Sequence, residues 1–71
     1  MKYVVVVEQS ETGYGAYVPD LPGCIAAAKT REEVTALIRE AIEFHIEGLR
    51  ESGQDVPLPQ SDSILIEVTA A

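Results

Sequence analysis

A two-layer α+β fold, in the element order β-β-β-α-β, is what this sequence predicts. Three observations carry it: four valines in a row at positions 4–7, a capped amphipathic stretch over 31–51, and apolar alternation over 63–69. The valines come first. Residues 2–8 hold Tyr3-Val4-Val5-Val6-Val7, and consecutive β-branched side chains resist a helix and suit a pleated surface. Residues 9–13 (QSETG) are polar and end in glycine, the composition of a hairpin connection. Residues 14–18 return as a second strand, in which Gly15 hints at a bulge or a close backbone approach. Pro19 and Pro22 lack amide donors and Gly23 can take positive φ, so residues 19–23 must interrupt the ladder. Residues 24–28 are short and apolar, a plausible third strand.

The helix is the clearest element. Thr30-Arg31-Glu32-Glu33 has the form of a capping box, in which the Thr30 hydroxyl accepts from the Glu33 amide and the Glu33 side chain reaches back. Apolar residues then recur at helical spacing to about Glu51, and Ser52-Gly53 closes the element. Val34, Ile38, Ala41, Ile42, His45 and Leu49 share one stripe, widened by Leu37, Phe44 and Ile46. Residues 54–60 contain Pro57 and Pro59 and form an extended connector. Residues 63–69 alternate Ile64, Ile66 and Val68 against Leu65 and Glu67, a strand with one face buried. A right-handed crossover should bring this last strand parallel to the first. The expected spatial order is 3-2-1-4, with the first strand central and the helix covering one face.

Size and charge bound the function. Seventy-one residues make one domain, taken as 1–71, with a thin core that oligomerisation would naturally supplement. No apolar run or leader-like start suggests a membrane span or secretion, so a cytoplasmic location is expected. A net charge of -7 disfavours sequence-independent binding to phosphate backbones and suits a basic protein partner.

The apolar pattern exceeds what one helix can cover. Tyr3, Val5 and Val7 must point to one face of the first strand and Val4 and Val6 to the other. Tyr14 and Tyr17 have opposite parity, so at least one aromatic lies on the uncovered face, and Leu65 adds to the surplus. An exposed apolar patch of that kind marks an interaction surface, so a homo-oligomer (dimer or tetramer), a docked partner or both are expected.

Signs of catalysis are poor. The serines lack a nucleophile context, and His45 falls within the apolar stripe, where a packing role is expected. Cys24 has no basic neighbour to activate it and reads as a small buried hydrophobe. Glu8, Asp20 and Glu67 are the candidates if the chain were a metal-dependent nuclease, but their spacing is not that of a ligand set. Asp20 more naturally serves its own turn. No catalytic, metal-binding or cofactor-binding residue is assigned. Glu40, Glu43, Glu47 and Glu51 form an acidic stripe on the polar helix face, able to steer a basic partner or simply to face solvent.

Taken together, Pro19-Asp20-Leu21-Pro22-Gly23-Cys24, then Thr30-Arg31-Glu32-Glu33, then Arg39-Glu40-Ala41-Ile42-Glu43 resemble the HicB family of antitoxins over essentially the whole chain. The resemblance implies a partial ribonuclease H-like fold without its catalytic carboxylates. It also implies that the chain is no enzyme and masks a small basic HicA-type toxin that cleaves mRNA. Many family members carry a further C-terminal DNA-binding domain; a chain ending at Ala71 is expected to be the short form, with no direct DNA or membrane binding. The candidate partner interface is Val4, Val6, Tyr14, Tyr17 and Leu65 with Glu40, Glu43 and Glu47. Asp20, Pro22, Gly23, Thr30, Glu33 and His45 are given structural roles. The alternatives are the metal-dependent nuclease and an orphan oligomeric interaction module.

Overall fold

The computed structural model describes residues 1–69. Three strands, β1 (Val6–Ser10), β2 (Gly13–Tyr17) and β3 (Ile25–Ala28), form an antiparallel meander in the order β1-β2-β3, followed by one helix, α1 (Arg31–Glu51). The register pairs Val6 with Tyr17 and Ser10 with Gly13, then Tyr17 with Ile25 and Tyr14 with Ala28. The ladder runs without interruption through Gly15, which pairs with Glu8 and Ala27, so the bulge expected there is absent. Gly13 is needed for a different reason. A Cβ at that position would collide with the carbonyl oxygen of Ala28, so only glycine lets the hairpin end lie against the exit of β3.

Residues 18–24 cross from β2 to β3 through a loop that satisfies its own backbone. The Val18 amide donates to Cys24 O (3.2 Å), the Leu21 amide to Val18 O (3.1 Å) and the Cys24 amide to Leu21 O (3.0 Å). Gly23 makes this possible at φ 86°, a conformation that L side chains rarely adopt. The loop thereby plugs Leu21 into the core, where it is fully buried.

The helix begins where the capping pattern places it. Thr30 is extended, and its hydroxyl accepts from the Glu33 amide (3.1 Å) and donates to the Glu33 carboxylate (2.9 Å). The box thus closes side chain to side chain, not through the Thr30 amide. At the other end the Ser52 amide donates to Gly48 O (3.1 Å) and the Gln54 amide to Leu49 O (2.9 Å), satisfying terminal carbonyls. The core that α1 closes is small: Ala16, Val18, Leu21, Cys24, Val34 and Ile38, ringed by half-buried Tyr3, Val5, Val7, Tyr14, Ala41, Ile42 and others.

Three expectations need correction. The predicted fourth strand is not in the sheet: residues 61–69 form no ladder and are exposed throughout. Consequently β1 is an edge strand and not the centre of a 3-2-1-4 sheet. It also starts at Val6, four residues later than expected, because β2 turns away after Tyr17 toward Pro19, leaving residues 2–5 unpaired. Third, His45 is only half-buried, while Leu37 and Phe44 stand out of the core, Phe44 at 79% exposure. These two lie about 60–80° round the helix from Val34, the limit of a covered stripe. Residues 70 and 71 of the expected 1–71 domain lie outside the described residues.

The projecting segment sets the molecule's shape. Its radius of gyration is 14.2 Å and its extents are 52 × 27 × 16 Å, against roughly 11 Å for a compact chain of this length. Because Leu21 is fully buried, Leu21→Ala should lower the urea-unfolding free energy by about 2–5 kcal/mol, the usual cost of emptying a buried leucine site. Leu65→Ala, at a wholly exposed position, leaves the unfolding of the monomer at high dilution nearly unchanged.

Candidate interaction surfaces

The geometry that positions the surfaces is a helix narrower than its sheet. The packing of α1 is concentrated on β3 and β2. Each flank of the helix therefore borders an apolar groove.

The first groove lies at the β3 edge. It is lined by Ile25, Ala26, Ala27, Leu37, Glu40, Ala41 and Phe44 and has a volume of about 380 Å³. Ile25 and Phe44 are at least 70% exposed, and Leu37 is 43% exposed. Glu40 and Glu47 sit on the same flank of the helix, with Glu43 farther round, so the apolar groove has an acidic border. Ile25 and Phe44 are residues that sequence reasoning missed as an interface. The available signal was Phe44, which sits at the margin of the stripe, beside Glu43 and one turn after Glu40.

The second groove lies at the β1 edge, between that strand and the other flank of α1. Val5, Val7, Ile38 and Ile42 line it with Thr35, and Arg31 and Arg39 stand at its border, in a volume of about 330 Å³.

The open face of the sheet carries a third apolar element. The register sets Val6, Tyr17 and Ile25 in one row, and Val4 continues that face by strand alternation. Tyr17 is 42% exposed, Val4 and Val6 are half-buried. Tyr14 belongs on the other side: it packs against the core on the helix-covered face, which removes it from the proposed interface. Leu65 is on the projecting segment, apart from that row in the single chain.

Asp20 has a role that its turn alone did not reveal. It accepts hydrogen bonds from the amides of Ser61 and Gln60 (2.9 Å each) and from the Ser61 hydroxyl (2.8 Å). Upstream, the Tyr3 hydroxyl donates to the Pro57 carbonyl. The two contacts tie the connector to the sheet end before residues 62–69 depart. Hydrogen bonding from Ser61, then from Gln60, holds the Asp20 carboxyl below the ordinary value of 3.8, with desolvation acting the other way. Cys24 is buried in the core, and burial pushes its thiol up, the opposite of activation.

Nothing gathers Glu8, Asp20 and Glu67 into a site. Among the described residues no three His, Cys, Asp or Glu side chains converge as metal ligands, and no helix is long and apolar enough to cross a membrane.

Comparison with known proteins assigns the family. The model of the HicB-like antitoxins of bacterial toxin-antitoxin systems matches residues 3–69. The chain belongs to the HicB-like antitoxin family. This HicB-like chain is 31% identical over 72 residues to Antitoxin HicB 2 of Photorhabdus laumondii, covering 100% of the chain and 52% of that antitoxin. It is 42% identical over 57 residues to a protein of the rep-hol intergenic region of Haemophilus phage HP1, covering 80% of the chain and 43% of the phage protein. The HicB-like chain thus spans about half, or less, of these two relatives. A solved structure titled as a HicA3 and HicB3 toxin-antitoxin complex contains a chain of the same fold, with a TM-score of 0.72 and 32% identity, over 84% of this chain and 70% of that one.

The Asp20 clamp has a definite pH signature. Its folded pKa is depressed, so the clamp contributes fully above 3.8 and is lost as pH falls through the lower folded value. In an NMR titration the Gln60 and Ser61 amide resonances should move together with a midpoint below 3.8, and Asp20→Asn should abolish that step. A shared midpoint at or above 3.8 would remove the clamp.

Proposed function

We propose that this chain neutralises a small basic HicA-type toxin by covering it, without catalysis of its own. The observation that carries the reading is the β3-edge groove: exposed Ile25, Leu37 and Phe44 beside Glu40 and Glu47, in a member of the HicB-like antitoxin family. An apolar centre with a charged rim is the usual anatomy of a protein interface. The acid residues match a basic, RNA-binding surface in sign, raise the rate of encounter and fix orientation. The apolar anchors, once desolvated, hold the complex together. Bound there, the antitoxin excludes RNA from the toxin by occupying the same positive surface. The open row of Val4, Val6, Tyr17 and Ile25 extends the contact area around the β3 edge through Ile25, which belongs to both.

The reading includes a homo-oligomer, a dimer or tetramer, and a cytoplasmic location alongside the mRNA that the toxin cleaves. A partial ribonuclease H-like architecture is also part of it, on the strength of the meander-then-helix order and the fold shared with a chain of the HicA3–HicB3 complex.

Co-expression with a HicA-type toxin from the same genome tests the proposal. The wild-type chain should relieve growth arrest. Combining Glu40→Lys, Glu43→Lys and Glu47→Lys should slow association by about tenfold or more at low salt and flatten its salt dependence. Phe44→Ala should act on dissociation, raising it by roughly thirtyfold for an anchor worth about 2 kcal/mol. Unrelieved arrest with the folded wild-type chain, or binding indifferent to all four changes, would sink the proposal.

A further inference from the structure

The projecting segment and the β1 edge are complementary halves of one structure. After the clamp at Gln60 and Ser61, residues 62–69 run exposed, with Ile64, Leu65, Ile66 and Val68 each at least 70% exposed. The alternation there is that of a strand: Asp62, Ile64, Ile66 and Val68 on one side, Ser63, Leu65, Glu67 and Thr69 on the other. A flat run of that kind seeks an edge to pair with. Elsewhere in the same chain β1 is an unpaired edge, and its continuation through residues 3–5 has lost β2 as a neighbour. The residues facing that edge from the helix layer are Ile38 and Ile42, and with Val5 and Val7 they line the groove described above.

We propose that residues 62–69 of one copy pair with the β1 edge of a second copy as its fourth strand, seating Ile64, Ile66 and Val68 in the groove against Val5, Val7, Ile38 and Ile42. Three features select a second copy as the occupant. The lengths match, with residues 63–69 of the segment covering seven residues of edge (3–9) and Asp62 leading in. The two side-chain rows match: the inward row meets the apolar groove, and Leu65 on the outward row joins Val4 and Val6 on the open face. Finally, the clamp directs the segment away from its own edge. Pro57 is held at Tyr3, on the line of β1, whereas Gln60 and Ser61 are held at Asp20, beyond the end of β2 and one strand farther from the free side. Reciprocal exchange in a twofold pair would use two segments and two edges and leave neither exposed. The sheet order 3-2-1-4 then arises between chains and not within one. This inference deepens the homo-oligomer of the preceding reading and does not depend on the toxin.

The test uses the full chain alone. Sedimentation equilibrium should give a dimer or larger species. Ile64→Asp with Ile66→Asp should weaken self-association by roughly tenfold or more, because each carboxylate would have to enter an apolar groove. Those positions make no core contact, so the helical circular dichroism of the variant should match wild type. In a sample mixing labelled and unlabelled chains, isotope-filtered NOEs should connect the Ile64 and Ile66 methyls with Val5 and Val7 of the other copy. A strictly monomeric chain at high concentration, an oligomer unmoved by the double variant, or NOEs confined within one chain would each overturn the proposal. Exchange without toxin binding would overturn only the preceding reading.

Discussion

A helix about 10 Å across can cover roughly two strands spaced near 4.8 Å apart, and the rest of this structure follows from that mismatch. Here α1 lies over β3 and β2, and the core it closes is six buried residues at their junction. Everything farther out is half-covered. On one flank Leu37 and Phe44 overhang the β3 edge; on the other Ile38 and Ile42 look toward β1 across a groove. A small domain that buries so little of itself has its remaining apolar surface available for association.

The two flanks differ in charge. Glu40 and Glu47 belong to the β3 side, while Arg31 and Arg39 belong to the β1 side. An acidic margin selects for a basic partner and repels a second copy of a chain with net charge -7. The two grooves sit on opposite sides of the helix axis and meet only through the open face of the sheet.

Asp20 links these features to the family's loop sequence. The Pro19–Cys24 turn does more than reverse the chain: Leu21 plugs the core, Gly23 permits the turn, and Asp20 grips the connector through two amides and a hydroxyl. A loop that orders the core, β3 and the exit of the last segment at once joins three parts of the fold through six residues.

Local signals were legible in the sequence because local physics produced them. The valine run, the glycine hairpin, the Thr30–Glu33 box and the helical stripe each depend on residues within a turn or two of one another, and the 21-residue helix and the hairpin stand where those signals lie, with β1 taking up the second half of the valine run. The alternation over 63–69 was equally visible, but alternation only says that a segment can be a strand. Where it leaves the sheet depends on Asp20, a contact forty residues distant in sequence. In the same way periodicity placed Phe44 on the stripe, while its exposure depends on how far β3 extends beneath it. Composition, spacing and capping determined the elements and the excess of apolar surface; only the tertiary arrangement decided which of that surface is covered, because a helix's width relative to its sheet is not a property of any single segment.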